Sequence, residues 1–410
     1  MHKYSVIGVL LSATLLASSS AVALSIVSGD GIDQNPQHAN SAIHIANAKR
    51  ASSKAQVAVA KKVPNAAKVL QMPILSPVFT LKNVPLPNAA YPAVNSVAIS
   101  PDGLTVVTGS DDGMVRLWNI STGSVLFTMK NHHLSAVGAT KFQSPVRTVA
   151  FSPDGKTIAT GSYPGVALYD ARTGTELRTY NLTSMTAALA FSPDGQMIAA
   201  GSAAKQLAAQ HGGDIKILDA NSGSVLTTIP NITGGVTSVA FSPDGKNLAS
   251  AGVNGEVILW DVGTAQKLGN FDSFGKVGNQ DYARSVAFSP DGQTLVTGGG
   301  SNSPWQGIVK FWDIQSGALI KAIKEGEPIN SVAFSHDGKR IAAANWDKSV
   351  RIYTLQDAFL VGSTKVFMGG WSAATAADGH SASVNSVVFS ANDKLIVSAG
   401  GDHSVKGWRF

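Results

Sequence analysis

A chain of 410 residues, 44% hydrophobic and only 14% charged, can bury a sizeable core, and its 41 glycines and many short apolar runs favour all-β repeats over helices. The absence of cysteine excludes disulfides, thiolate metal sites and cysteine nucleophiles. Of the net charge of +6, Lys3 supplies +1 within residues 1–23, and six basic against two acidic residues supply +4 within 24–74; residues 75–410 therefore carry +1, which gives a nucleic-acid footprint no support.

At the N-terminus, Lys3 precedes the apolar run Val6–Ala17, and Ala21-Val22-Ala23 follows as an A-x-A cleavage pattern, so residues 1–23 are expected to be a cleaved secretory signal peptide. The run is too short and too rich in serine for a membrane span, so no transmembrane span is expected in the mature chain. Residues 24–74, rich in Ala, Asn, Gln, Ser and Lys, show no strand pattern and read as a flexible linker or tail. The folded domain is expected over 75–410.

Within it one unit recurs seven times. Its most legible part is an apolar strand running into Phe-Ser-Pro-Asp-Gly, found at Phe151–Gly155, Phe191–Gly195, Phe241–Gly245 and Phe288–Gly292, with variants at Ile99–Gly103, Phe334–Gly338 and Phe389–Asp393. Proline presets φ, aspartate bonds the local backbone and glycine accepts positive φ, so the motif is a tight turn, and this role accounts for the repeated aspartates without catalysis. Second strands follow from Thr105, Thr157, Met197, Asn247, Thr294, Arg340 and Lys394. Third strands end in Trp118, Tyr169, Trp260, Trp312, Tyr353 and Trp408, with Leu218 as the exception, and fourth strands such as Val125–Met129 and Val225–Ile229 come next. Four short strands cannot bury themselves, and a period of this size implies blades stacked around an axis. Alternation in Ser285–Ser289 sets Val286 and Phe288 against Ala287, large on one face and small on the other, as a radial stack requires.

These residues resemble the WD-repeat family: the Phe-Ser-Pro-Asp-Gly turns, Trp260-Asp261, Trp312-Asp313, and Gly379-His380 before the last unit. The resemblance covers about 76–410 and implies an all-β, seven-bladed WD-repeat β-propeller with four antiparallel strands per blade. It also implies a structural tetrad of His, Ser or Thr, Asp and Trp, complete only as His380, Ser398, Asp402 and Trp408; the first unit has Thr108, Asp112 and Trp118 but no histidine. Such degenerate repeats on an exported chain fit a bacterial protein, periplasmic or secreted. Pro77–Lys82 resembles Val125–Lys130, a fourth strand, and is expected to complete the last blade and close a monomeric ring.

No catalytic, phosphate-loop or dinucleotide motif is present, so no enzyme activity, cofactor or metal is expected. Gly298-Gly299-Gly300 precedes no helix and reads as a loop. Trp305, Trp346 and Trp371 fall off the aromatic period. The longest insertions, Asn131–Pro145, Ala203–Gly213, Phe274–Tyr282, Gly300–Gln306 and Gly369–Ser383, all connect strands at one end of the ring. Insertions on one face of a repeat array mark its binding face. The expected function is therefore an exported scaffold that binds a protein partner there, with His132, His133, Lys205, Tyr282, Trp305 and Trp371 as contact candidates. A small-molecule or glycan receptor is the alternative, and an enzyme using the central funnel a further one.

Overall fold

The computed structural model describes residues 77–82, 92–130, 134–137, 140–182, 184–203, 212–232, 234–272, 281–302, 305–356, 359–366 and 379–409. The expected signal peptide and linker lie outside them. Strand β1 (Phe79–Lys82) comes first. Blade 1 is β2 (Val94–Ile99), β3 (Thr105–Ser110), β4 (Met114–Asn119) and β5 (Val125–Lys130). A small hairpin, β6 (Leu134–Val137) and β7 (Thr140–Gln143), leads to blade 2: β8 (Thr148–Phe151), β9 (Thr157–Ser162), β10 (Gly165–Asp170) and β11 (Glu176–Asn181). Blade 3 is β12 (Thr186–Phe191), β13 (Met197–Ser202), β14 (Gly213–Asp219) and β15 (Val225–Ile232); blade 4 is β16 (Val236–Phe241), β17 (Asn247–Gly252), β18 (Glu256–Asp261) and β19 (Lys267–Asp272). Blade 5 is β20 (Asp281–Phe288), β21 (Thr294–Asn302), β22 (Trp305–Asp313) and β23 (Leu319–Glu325); blade 6 is β24 (Ile329–Phe334), β25 (Arg340–Asn345), β26 (Val350–Gln356) and β27 (Phe359–Val366). Blade 7 is β28 (Val384–Phe389), β29 (Leu395–Gly400) and β30 (Ser404–Arg409), and β1 pairs antiparallel with β30, Leu81 opposite Val405, as its fourth strand. The chain is a seven-bladed propeller closed by its N-terminal strand, as the sequence implied.

The core lies in seven joints between blades. The residue ending each third strand faces the preceding blade: Trp118 packs with Val397 and Leu81 of blade 7, and Trp260 with Ile215 and Ile229 of blade 3. In the first strands Phe151 packs back toward blade 1 beside Ala98, while Ala150 faces blade 3. Where Leu218 breaks the aromatic series, Tyr180 of β11 fills the space, lying so close over Gly223 that a Cβ there would sit 1.9 Å from its Cε1.

The turns between first and second strands build themselves from local chemistry. Ser152 Oγ donates to Asp154 Oδ1 at 2.6 Å and accepts the Thr157 N–H at 2.9 Å, while Gly155, at φ 71°, donates its N–H to Ser152 O. Ser152 and the Lys156 N–H hold the Asp154 carboxyl below its ordinary value. Five of the turn glycines pack on the proline of the preceding blade, Gly195 on Pro153 and Gly292 on Pro243 for instance, while Gly103, preceded in the ring by Ala391, meets nothing within 4 Å. Between blades 6 and 7 both members change together. His336 stands where five blades have proline, and Asp393 stands where the other six have glycine. The Asp393 carboxylate accepts the His336 N–H at 2.7 Å and the Asp337 N–H at 2.8 Å, which a proline at 336 would forbid for the first.

Two expectations change. Gly298-Gly299-Gly300 is strand, inside β21, and Trp305 opens β22 opposite Asn302, so Gly300–Gln306 is a long hairpin rather than a loop. Glycine permits this because the neighbours are too close for a side chain: a Cβ at Gly298 would meet Val332 Cγ1 at 2.7 Å, and one at Gly300 would meet Gln306 O at 2.2 Å. Likewise Tyr282 lies within β20, paired with Gly300, not in a loop, and the first insertion contains the β6–β7 hairpin.

Candidate functional site

Five blades open their first strand on one pattern: Val94-Asn95-Ser96-Val97, Val236-Thr237-Ser238-Val239, Ala283-Arg284-Ser285-Val286, Ile329-Asn330-Ser331-Val332 and Val384-Asn385-Ser386-Val387. In all five the ladder to the second strand shifts register between the first and third residues of the pattern. Such a bulge re-aims side chains sideways, here at the next blade. The serines accept backbone N–H groups there, Ser96 from Val149 at 3.1 Å, Ser238 from Val286 at 3.2 Å and Ser285 from Val332 at 3.0 Å. The second residues donate to carbonyls: Asn95 Nδ2 to Val146 O at 3.0 Å, Thr237 Oγ1 to Ala283 O at 2.6 Å, Asn330 Nδ2 to Val384 O at 2.8 Å and Asn385 Nδ2 to Val94 O at 2.9 Å. These hydrogen bonds stitch the inner strands together at five of the seven joints and line that part of the axial opening.

Blade 5 departs from its four siblings. Arg284 is too long for the carbonyl role; instead its Nη1 donates to Asn330 Oδ1 at 3.2 Å, an oxygen that also accepts from Trp346 Nε1 at 2.6 Å. The guanidinium carbon lies over two rings, 4.3 Å from the Tyr282 centroid and 5.2 Å from that of Trp346. Its Nε is buried without a hydrogen-bond partner. Tyr282, Arg284, Asn330 and Trp346, with Asn95, Thr237, Val253 and Asn385, line a cavity of about 540 Å³ at the mouth. The other arginines at this end are neutralised within the fold: Arg116 by Asp112 at 2.6 Å, Arg147 by Asp111 at 3.3 Å and Arg351 by Asp347 at 2.6 Å. Among the described residues no carboxylate pairs with Arg284.

The four residues expected as a tetrad are hydrogen-bonded in series. Trp408 Nε1 donates to Ser398 Oγ at 3.0 Å, Ser398 Oγ lies 2.8 Å from His380 Nε2, and His380 Nδ1 lies 2.9 Å from Asp402 Oδ1. The serine, histidine and aspartate have the connectivity of a hydrolytic triad, but Ser398 and His380 are buried, and the serine oxygen is covered by the tryptophan, so no substrate reaches it. Burial raises the Asp402 pKa, but hydrogen bonds and charge from His380, with the Ser381 N–H and Ser404, outweigh it and hold the carboxyl well below the usual range. In blades 1 and 6 an arginine stands in for the histidine. Arg116 reaches both Asp112 and Ser110, while Arg351 joins Asp347 to Glu325, which Tyr353 also contacts. Both pairs read as Asp-x-x-x-Arg across the second-to-third turn, the signal that would have found them.

Of the contact candidates, Tyr282 is brought into the mouth, where it meets Arg284 and lines one cavity with Trp346, neither of which was a candidate. Trp305 is placed only as a strand residue of β22. His132, His133, Lys205 and Trp371 lie outside the described residues. Among the described residues no group of three or more His, Asp or Glu is placed to hold a metal.

The family model described as "Nucleolar protein 10-like, N-terminal domain" matches residues 195–408, more than half of the chain, and that described as "WD domain, G-beta repeat" matches 86–119 and 124–167. WD repeat-containing protein slp1 of Schizosaccharomyces pombe is 27% identical over 309 residues, 75% of this chain and 56% of that protein. Autophagy-related protein 16 of Arabidopsis thaliana is 26% identical over 167 residues, 40% of this chain and 30% of that one. The chain thus spans about a third to a half of these relatives. Both are eukaryotic, which gives the expected bacterial origin no support. A chain from "Crystal Structure of Mitotic Checkpoint Complex" superposes with a TM-score of 0.63 at 21% identity, covering 83% of this chain and 93% of that one, and shows the same fold. By its repeats, its seven closed blades and the family model spanning more than half its length, the chain belongs to the WD-repeat β-propellers, in the Nucleolar protein 10-like N-terminal-domain family.

Proposed function

We propose that this propeller is a non-catalytic scaffold, exported by its N-terminal segment, that binds a protein partner on the face carrying the axial mouth. The observation that carries the reading is the asymmetry of the two ends. At the opposite end five residues separate the first strand from the second in every blade, as between Ile99 and Thr105 or Phe389 and Leu395, and their polar groups are consumed by the turns themselves. At the mouth end the connections vary widely, from the two residues between Asn302 and Trp305 to the seventeen between Lys130 and Thr148, and a cavity opens among them. A neutral drift in loop length would have spread over both ends. Scaffolding also fits the family, whose members commonly bind protein partners.

A second reading has an observation of its own. Leu126, Leu177, Leu226 and Leu268, at one register position of successive fourth strands, are each 43–54% exposed and make an apolar rim near the Pro-Asp-Gly end. Quantitative affinity capture with the chain separates the two. Removal of the β6–β7 hairpin is expected to reduce the captured proteins at least tenfold, while Leu177→Ser with Leu226→Ser, or Lys156→Glu with Lys246→Glu, leaves them unchanged; the opposite pattern refutes the assignment of faces. Export is tested by N-terminal sequencing of the natural protein: a start near Leu24 in the secreted or envelope fraction supports it, and an intact Met1 in a cytosolic pool refutes it.

A further inference from the structure

We infer that Arg284 is an anchor for a carboxylate side chain of an acidic peptide segment presented by the partner. The inference rests on the docking face proposed above and adds the chemistry of what docks there. An arginine loses part of its hydration when it lies against two aromatic rings, and a desolvated cation draws an anion strongly unless the fold supplies one. Among the described residues the fold supplies amide and ring: Asn330 Oδ1 on Nη1, with the Tyr282 and Trp346 rings beside the guanidinium. Arg116, Arg147 and Arg351 at the same end each have their carboxylate, so among the described residues the unneutralised arginine at this end belongs to blade 5.

The surroundings specify the rest. Tyr282 is only 7% exposed, and Trp346 is held by its Nε1 on Asn330, so both rings are fixed before anything binds. A preorganised guanidinium loses little entropy on pairing. The cavity of about 540 Å³ takes a few side chains of an extended segment rather than a folded domain. Around it stand Asn95 and Asn385, whose Nδ2 groups are held by backbone carbonyls of the ring. They offer amide edges to a peptide backbone, and Val253, half exposed, offers an apolar shelf.

The test is selection of phage-displayed random dodecapeptides on the full chain, with the recovered peptides synthesised and titrated against variants. Expected are peptides sharing an Asp or Glu at one position, binding at least tenfold more weakly to Arg284→Gln, and regaining part of that loss with Arg284→Lys, which keeps the charge but not the planar fork. Thermal unfolding equal to that of the natural chain shows that the variants are folded. Peptides without a shared acid, or with equal affinity for Arg284→Gln, overturn the inference; if removal of the β6–β7 hairpin still weakens them, the docking face stands and only its carboxylate chemistry falls. Failure to recover any binder while millimolar glutarate shifts the unfolding temperature of the natural chain but not of Arg284→Gln assigns the mouth to a small carboxylate, and also overturns it.

Discussion

The chemistry that holds this ring together is decided at single positions. His380 bridges Ser398 and Asp402 inside blade 7, so His380→Ala is expected to lower the unfolding free energy by about 1–3 kcal/mol, the cost of leaving buried polar groups unpaired, read from urea denaturation. The Asp402 carboxyl is depressed in the folded state, so its contribution is present above the unfolded carboxylate value of about 4 and is lost as pH falls toward the folded one. The stability gap between the natural chain and Asp402→Asn should therefore be large at pH 7 and shrink at pH 3; a constant gap would contradict it. His336 and Asp393 form a second local unit. His336→Pro and Asp393→Gly should each destabilise alone and partly compensate together, with a coupling of about 0.5–2 kcal/mol in a double-mutant cycle. The histidine tetrad was legible because its residues match a family pattern. Arg116 and Arg351 were not read, although Asp-x-x-x-Arg marks both, because that spacing acquires meaning only from the strand register that folds the turn back on Asp112 and Asp347. Arg284 was hidden for the same reason, as it lies 62 positions from Trp346 and meets it only across a joint.

At the scale of strands, the repeated turn signals placed most starts correctly, Thr157, Met197, Asn247 and Thr294 among them. The errors fell where one blade departs from its siblings. Triple glycine looked like a breaker, yet β21 runs through it because its neighbours leave no room for a Cβ. Gly298→Ala is expected to cost about 1–3 kcal/mol through the clash with Val332 and Ile329. The β6–β7 hairpin was missed because it has no counterpart in the other units, although Gly138-Ala139 between its strands suits a two-residue turn. Strand β1 was legible from its likeness to β5, and it carries the closure. A chain lacking residues 24–74 should melt like the natural one, whereas one lacking 24–83 also loses the buried Leu81 and the pairing to β30 and should melt well below it; matching midpoints would show that β1 does not close the ring.

For the whole ring, stability is spread over seven equivalent joints, each bridged by the serine and asparagine hydrogen bonds of the inner strands or by packed third-strand side chains. Such a scaffold tolerates variation in its connections, and here that variation gathers at one end, around a mouth where Arg284, without a carboxylate among the described residues, lies against two aromatic rings. The claim that this end is where the protein works is tested most directly by hydrogen–deuterium exchange of the chain with and without its captured partner. The account predicts slowed exchange at the start of β20 and in the turns Asp111–Gly113 and Asn345–Ser349, with the Pro-Asp-Gly turns and the fourth-strand rim unchanged. Protection confined to those turns or to that rim would contradict it.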